Sequence, residues 1–232
     1  MTIEKHTNAE TITSVRIGEV KQIPGSDLLS GINKSEYNAP LFLTKEGLKG
    51  DHQADRRFHG GPEKALHFYH RGHYAYWRKV VKSPNPIEVG SFGENITCTQ
   101  FHERNVRVGD IFRLGDTVIQ VSQGRQPCFK LNAKFQVPDM SVKVQQSGRT
   151  GWYCRVLEEG EVKPNDTLTL LEPNSSGLTL AKINFIIFSP SLDPQLLSAV
   201  AETDSLSESW RRLARLRLES GKVENWDKRL FG

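Results

Sequence analysis

The chain has 232 residues, of which 37% are hydrophobic and 25% are charged. This size and balance are typical of one large globular domain, or of a medium domain with a small appendage, and they exclude a disordered chain. The net charge of +4 is too small for a dedicated nucleic-acid-binding protein, whose affinity usually rests on a concentrated basic face. We therefore expect no stable binding of nucleic acid.

The first ten residues, MTIEKHTNAE, are polar and charged where a secretory signal requires an apolar stretch. No apolar run approaches the roughly 20 residues that a membrane-spanning helix needs. These features predict a cytoplasmic protein that does not bind membranes. The three cysteines are sparse and form no CxxC pair, so we expect reduced thiols rather than a disulfide scaffold.

The first part of the chain is rich in predicted strands. Residues 11–23 are rich in Thr, Val and Ile and precede a Pro-Gly turn, which predicts an opening strand. Further strands are predicted over residues 41–44, 65–69, 106–114, 117–122, 152–157 and 167–171. Helices are predicted only over residues 70–82 and 139–147. Many short strands with few helices predict a mainly β fold, a twisted closed or nearly closed β-barrel, because closure removes exposed sheet edges.

The composition changes after Pro173. The sequence NSSG forms a predicted linker, and helices are predicted over residues 178–188, 194–203 and 207–220, with start and stop signals at Pro194, Ser207 and Gly221. We predict two domains, a β-barrel over residues 1–172 and a small C-terminal three-helix domain over residues 173–232. No motif with evident chemistry lies in the helices, so we expect them to be dispensable for binding a cofactor.

The last predicted helix is amphipathic. One face is apolar, and the opposite face carries Arg211, Arg212 and Arg215. A solvated face is the simpler interpretation. The other interpretation is a weak electrostatic contact with an acidic electron-donor protein.

Residues 56–62 read RRFHGGP and suggest an anion site. Arginine has forked donors that suit phosphate, and a glycine pair lets backbone amides approach a ligand closely. An ordinary turn with exposed arginines explains the same residues, and both interpretations stay open. No Walker, GxGxxG or GxSxG pattern occurs, so nothing supports the familiar nucleotide-binding or hydrolase sites.

The loop after the strand at 117–122 carries the candidate reactive thiol. Cys128 lies between Arg125 and Lys130, and neighbouring cations favour the thiolate, which is the nucleophilic and metal-ligating form. Cys98 and Cys154 lie in alternating segments, where burial as a small apolar residue explains them. Five histidines fall within residues 52–73, but without an HExxH spacing they do not predict zinc.

Several strings of this chain resemble the successive motifs of the MOSC domain, of the YiiM type. They are GLKGDHQADRRFHGGPEKALHFYHRGHYAYW, FGENIT, VGDIFRLGDTVIQVSQGRQPCFKLN and GRTGWYCRVLEEGEV, and they span about residues 40–172. The segment SWRRLARLRLESGKVENWDKRLFG is similar to the three-helix extension of those proteins. The resemblance therefore covers nearly the whole chain.

The resemblance implies a barrel that binds the molybdenum cofactor (molybdopterin), with Cys128 as the protein ligand to molybdenum. A thiolate is a suitable soft ligand beside dithiolene sulfurs, and the pterin phosphate needs cationic partners. The residues carried over as cofactor-binding are Arg57, His59, Gly60, Asn95, Arg125 and Lys130.

The resemblance also implies an activity, the reduction of N-hydroxylated compounds such as hydroxylaminopurine-type base analogues and amidoximes to amines or amidines, as detoxification. Cys128 and His59 are then the catalytic residues, with His59 as a proton source because the ordinary pKa of histidine is near neutrality. A flavin-type reductase is the implied electron donor. Gln126 stands where related strings often have a small residue, which leaves the substrate scope open.

Two other functions stay open at this point. One is a non-catalytic carrier of the molybdenum cofactor or a sulfur-relay module, which shares every motif. The other is a metal-free thiol enzyme with Cys128 as nucleophile and His59 as base. The sequence also leaves open whether the chain forms a homodimer.

Overall fold

The computed structural model describes residues 8–232. The first seven residues, on which the expectation of no leader partly rests, lie outside the described residues. None of the helices within residues 8–232 is long and apolar enough to cross a membrane.

A curled nine-stranded sheet forms the main layer, in the order β1-β14-β10-β11-β12-β8-β9-β2-β5. Its strands are β1 (Ala9–Thr11), β2 (Val15–Ile17), β5 (Ser35–Tyr37), β8 (Leu66–His70), β9 (Ile96–Cys98), β10 (Ile111–Leu114), β11 (Thr117–Gly124), β12 (Trp152–Glu158) and β14 (Thr167–Glu172). The pairs are antiparallel except β8 with β9. The edge strands β1 and β5 do not pair with each other. The prediction of a mainly β, nearly closed barrel is therefore confirmed. The barrel is open because its edge strands do not pair.

Two small sheets complete the β structure. One has the order β13-β6-β7, and the other pairs β3 with β4. Their bounds are β3 (Lys21–Gln22), β4 (Leu29–Ser30), β6 (Leu41–Thr44), β7 (Gly47–Leu48) and β13 (Gly160–Val162). The predicted strand at residues 41–44 is thus found with the same bounds.

The predicted opening strand over residues 11–23 is wrong as one element, because it is divided into β1, β2 and β3. The chain leaves the sheet at Gly18, whose amide donates to Oδ1 of Asp51 over 2.8 Å and whose carbonyl accepts from the amide of His52 over 2.8 Å. A Cβ at position 18 would lie 2.5 Å from the carbonyl oxygen of Gly31. A tertiary contact therefore replaces the sheet ladder that the local pattern favours.

The helices that the sequence predicts are all present with slightly different bounds. They are α2 (Gly72–Val80), α4 (Met140–Ser147), α5 (Leu180–Phe188), α6 (Pro194–Ala201) and α7 (Glu208–Ser220). Asp193 caps α6 by accepting hydrogen bonds from two amides of its first turn, and Gly221 ends α7 with φ of 60°. Three short helices were not predicted, α1 (Arg56–His59), α3 (Lys130–Phe135) and α8 (Asp227–Leu230).

The C-terminal helices pack directly on the sheet. Ile183, Ile187 and Trp210 belong to the same buried apolar cluster as Val121 and Trp152 of the sheet. A second cluster lies under α2 and α3. Because one core continues from the sheet into the helices, the expectation that the helices are dispensable does not follow from the packing. The division at residues 172 and 173 stays a prediction.

Candidate functional site

A cleft opens beside the end of β11, and it is lined by five of the residues singled out from the sequence, His59, Asn95, Arg125, Cys128 and Lys130. We call it the Cys128 cleft. Its other charged or titratable lining residues are Lys34, Asp51, His52, Lys64, His67 and Tyr153. Residues about 100 positions apart in the chain therefore meet around one thiol.

The thiol is positioned by a loop between a strand and a helix. After β11 ends, the amide of Arg125 donates to the carbonyl of Gly151 over 3.1 Å, which fixes the start of the loop. The amide of Leu131 donates to the carbonyl of Cys128 over 3.0 Å as α3 begins. We call residues 125–129 the Cys128 loop.

The three cysteines differ in what surrounds them. Cys128 is 9% exposed and lines the cleft, whereas Cys98 and Cys154 are 0% exposed in β9 and β12. Burial raises the pKa of Cys98 and of Cys154 well above the ordinary thiol value. These two thiols are core residues, as the alternation of their segments predicts. Cys128 is the thiol that a ligand in the cleft can reach.

Arg125 is the residue of the cleft whose surroundings most favour an anion. It is 7% exposed, and within residues 8–232 its Nη1 makes no hydrogen bond. A buried charged donor without a partner is costly unless a ligand satisfies it. Lys64 and Lys130 line the same cleft, so the local charge favours a negatively charged group.

His59 faces these cations and is neutral at pH 7. Burial, followed by the charges of Lys130 and Arg125, lowers its pKa to about 4. The sequence-based role of a proton source assumed a pKa near neutrality, so it does not hold for the free cleft. In this state the ring can donate one hydrogen bond and accept another, and a bound anion would raise its affinity for a proton.

Asn95 builds the wall of the cleft. Its Oδ1 accepts from the amide of His67 over 3.0 Å, and its Nδ2 donates to the carbonyl of Arg16 over 2.9 Å and to Oδ2 of Asp51 over 3.0 Å. These bonds tie β2 to β8 and hold Asp51 in place. Asn95 is therefore an organising residue whose amide is already engaged by the protein.

Sequence reasoning missed a buried ion pair in the cleft. The ammonium of Lys34 bonds both carboxylate oxygens of Asp51, and the two side chains are only 8% and 4% exposed. Burial lowers the pKa of Lys34, and the negative charge of Asp51 offsets only part of this effect. Asp51 begins the string DHQADRRFHGG, but Lys34 lies in a segment without a distinctive pattern, so no sequence signal marks it.

Two residues carried over from the resemblance do not line the Cys128 cleft. The Arg57 side chain is 82% exposed, and its Nη2 lies 2.7 Å from Oδ2 of Asp55. This pairing at the start of α1 holds the guanidinium at the surface. Gly60 has extended backbone at the end of α1, and Gly61 has a positive φ of 91°. The basic residues that line the cleft beside the neutral His59 are therefore Lys34, Lys64, Arg125 and Lys130, with Arg57 outside it.

A larger cavity of about 1210 Å³ lies between α2, α4, α5 and the C-terminal residues. It contains His70 and His73, and Nε2 of His73 lies 2.8 Å from Oε2 of Glu103. No three His, Cys, Asp or Glu side chains within residues 8–232 are placed to hold a metal ion by themselves. Cys128 does not line this cavity, and neither do Arg125, Lys64 and Lys130. The Cys128 cleft is therefore the better candidate for a site that needs a thiol and an anion-binding group.

The donor set of the Cys128 cleft fits the molybdenum cofactor. A thiol supplies one soft ligand, and Arg125 with an unused donor, Lys64 and Lys130 suit a phosphate. The interior volume is only about 80 Å³, which accommodates a small group beside the thiol. This volume is too small to enclose a whole pterin.

The fold is a curled β half-barrel, and its candidate site is a thiol in a cleft lined by basic residues. Comparison of the sequence with known families identifies the class of protein that has this combination. Residues 55–169 match the MOSC domain, and residues 178–221 match the YiiM-like, 3-alpha helix domain. Protein YiiM of Escherichia coli (strain K12) is 38% identical over 204 residues, covering 88% of this chain and 91% of that protein. The chain belongs to the MOSC family and is of the YiiM type.

Other relatives agree with this assignment. Uncharacterized protein YflK of Bacillus subtilis (strain 168) is 39% identical over 203 residues, covering 87% of this chain and 91% of that protein. A protein of Gibberella moniliformis (strain M3125 / FGSC 7600) named "Reductase" is 34% identical over 212 residues, which are 90% of this chain and 37% of that longer protein. The crystal structure of YiiM from Escherichia coli superposes with a TM-score of 0.79 at 32% identity, covering 96% of this chain and 98% of that one.

Proposed function

We propose that this chain binds the molybdenum cofactor in the Cys128 cleft and reduces N-hydroxylated compounds to amines or amidines. The MOSC domain is associated with this cofactor in general. The observation that carries the proposal is that one cleft is lined both by the Cys128 thiol and by the buried Arg125, whose Nη1 makes no hydrogen bond within residues 8–232. The relative named "Reductase" supports a reductive activity.

The proposed reaction consumes two electrons and two protons. The N–O bond of the substrate breaks, the hydroxyl oxygen takes up one proton and leaves as water, and the nitrogen takes up the other proton to complete the amine or amidine. When bound, the cofactor supplies a metal centre that changes by two electrons, which matches the cleavage of one N–O bond. We propose a flavin-type reductase as the source of those electrons.

The residues of the chain have distinct parts in this proposal. The Cys128 thiolate serves as the protein ligand to molybdenum, and Arg125 with Lys64 and Lys130 binds the pterin phosphate. A bound phosphate offsets the cations around His59, so His59 takes up a proton only in the loaded protein. The buried Lys34–Asp51 ion pair lines the same cleft.

The first prediction concerns Cys128→Ser, which removes the soft ligand with a small change in volume. Protein made in a host that synthesises the cofactor should lose turnover of a hydroxylaminopurine or an amidoxime, with chemical reductant supplied. Cys154→Ser is the matched control because that thiol is 0% exposed in β12. Turnover and molybdenum content of each purified variant are the measurements.

The outcomes separate the functions that share this site. Wild-type protein that retains molybdenum and pterin but reduces no substrate would identify a cofactor carrier or sulfur-relay module. Activity without any metal would identify a thiol enzyme. Equal loss in both cysteine variants, at unchanged thermal stability, would remove the special role of Cys128.

A further inference from the structure

The C-terminal tail, residues 221–232, runs back from α7 to the Cys128 loop. Nη1 of Arg229 donates to the carbonyl of Pro127 over 2.6 Å. The amide of Phe129 donates to the carbonyl of Arg229 over 2.8 Å. One tail residue therefore bonds the residues on both sides of Cys128. We propose that Arg229 is a positioning residue that fixes the Cys128 thiol in its cleft.

The tail is itself held by the two helices that follow the loop. The carbonyl of Leu230 accepts from Nδ2 of Asn132 and from Oγ of Ser141, each over 2.8 Å. Nη2 of Arg229 donates to Oε1 of Gln145 over 2.6 Å. The side chain of Leu230 is 4% exposed. The tail thus binds α3, α4 and the loop together.

The tail also satisfies the backbone immediately before α3. The helix has no side-chain cap, but its first-turn amides find local acceptors: the amide of Leu131 donates to the carbonyl of Cys128 over 3.0 Å, and that of Asn132 to the carbonyl of Phe129 over 2.9 Å. The amide of Phe129 precedes the helix and donates instead to the carbonyl of Arg229. The tail therefore provides the acceptor for the residue next to the thiol.

A second set of bonds connects the tail to the C-terminal helices. Arg217 is buried on α7 and donates to the carbonyl of Ile187 over 2.7 Å and to Oε1 of Glu224 over 2.8 Å. Nε1 of Trp226 donates to the same carboxylate oxygen over 2.6 Å. A continuous set of bonds therefore runs from α5 and α7 through the tail to the Cys128 loop. This gives the helical extension a role in the site.

The consequence for cofactor binding rests on the proposed function, whereas the effect on the loop does not. Arg229→Ala removes the bonds to Pro127 and Gln145 and leaves the backbone of the tail intact. Lys228→Ala is the matched control, because Lys228 is exposed one residue earlier in the same helix and loses the same charge. Arg229→Lys keeps one donor for Pro127 but lacks the fork that also reaches Gln145.

The test uses the full chain, with and without cofactor. In cofactor-free protein, Arg229→Ala should raise hydrogen exchange over residues 126–133 by about fivefold to thirtyfold, the effect of losing one or two hydrogen bonds. Exchange over residues 117–124 of β11 should not change. In protein from the cofactor-producing host, the same variant should retain less molybdenum after gel filtration and should turn over more slowly per molybdenum. Arg229→Lys should recover part of each loss.

Three outcomes would overturn the proposal. They are unchanged loop exchange in Arg229→Ala, an equal effect of Lys228→Ala, and no recovery by Arg229→Lys. A wild-type protein that holds no molybdenum, with a loop that still loosens in Arg229→Ala, would instead reject the proposed function and support the positioning by Arg229.

Discussion

Two arginines of similar appearance in the sequence have opposite surroundings in the folded chain. Arg57 is 82% exposed and paired with Asp55. Arg125 is 7% exposed and keeps one donor without a protein partner. A guanidinium that is already desolvated loses little on binding an anion, whereas an exposed one must first give up water and its carboxylate partner. Arg125 is therefore the arginine expected to control anion binding.

The second prediction compares Ala variants of these two arginines. Arg125→Ala should lower cofactor affinity by about tenfold or more, the size expected for a hydrogen bond to a charged group. Arg125→Lys should lose less, because it keeps the charge without the fork. Arg57→Ala should retain molybdenum as wild type does. Molybdenum content after gel filtration measures all three, and equal losses at positions 57 and 125 would contradict the assignment.

His59 provides a prediction about pH. Burial and the nearby cations lower its pKa in the folded chain to about 4, against a value of 6.5 in the unfolded chain. The unfolded chain therefore binds more protons between these pH values, so stability is lost as the pH falls from 6.5 toward 4. His59→Gln cannot take up this proton. Between pH 7 and pH 4.5, its Tm should fall by about 4 °C less than that of wild type.

The comparison of slopes makes this test specific. Burial also lowers the pKa of His67 and His70, so both proteins retain some sensitivity to acid. Only the difference between the two Tm profiles reports His59. Parallel Tm profiles over the whole pH range would show that the pKa of His59 is the same in the free cleft as in the unfolded chain.

At the scale of elements, local pattern predicted the five longer helices and six individual strands, but it missed the short strands β4, β5, β7, β9 and β13 and did not predict where elements stop. The hairpin of β10 and β11 could be predicted because Gly115 and Asp116 separate two apolar runs, and Gly115 takes φ of 56°. The break at Gly18 could not, since its partners Asp51 and His52 lie more than 30 positions away. That break brings Asp51 to the cleft, so the same contact decides an element boundary and a site residue.

The residues of the candidate site differ in whether a sequence motif marks them. Cys128 and Arg125 stand in a sequence motif, and both line the cleft. Arg57 belongs to a motif as well, but α1 directs it to Asp55. Lys34 and Arg229 have no motif, and only the folded chain brings them to the cleft and to its loop. Motifs therefore indicate where the chemistry is, while long-range contacts select the side chains that serve it.

At the scale of the whole molecule, the surface charge of α7 is largely satisfied within the chain. Nη2 of Arg211 lies 3.1 Å from Oδ1 of Asp204, and Arg215 pairs with Glu208. Arg212 is exposed. A docking role for this face in electron transfer therefore rests on fewer free charges than the sequence indicates, which favours the interpretation as a solvated face.

The C-terminal helices contact the end of β11 closely, which bears on whether the β half is stable without them. A Cβ at Gly124 would lie 3.0 Å from the ring of Trp210 and 2.2 Å from Oδ1 of Asn184. Gly124 is the last residue of β11 and directly precedes Arg125. The helices therefore pack against the strand that leads into the Cys128 loop, and they share its apolar core.

The last prediction follows from this packing. A fragment of residues 1–172 should show no cooperative thermal transition, because Leu180, Ile183 and Trp210, each at most 1% exposed, would leave the shared core. In the full chain, Trp210→Ala should cost about 3–5 kcal/mol of unfolding free energy. Leu216→Ala on the same helix is the control, since Leu216 is 48% exposed and should change stability by less than about 0.5 kcal/mol. Thermal and urea unfolding followed by circular dichroism measure these effects. A fragment that unfolds cooperatively near the wild-type Tm would show that the barrel is stable alone and that the helices act on the site only through the tail.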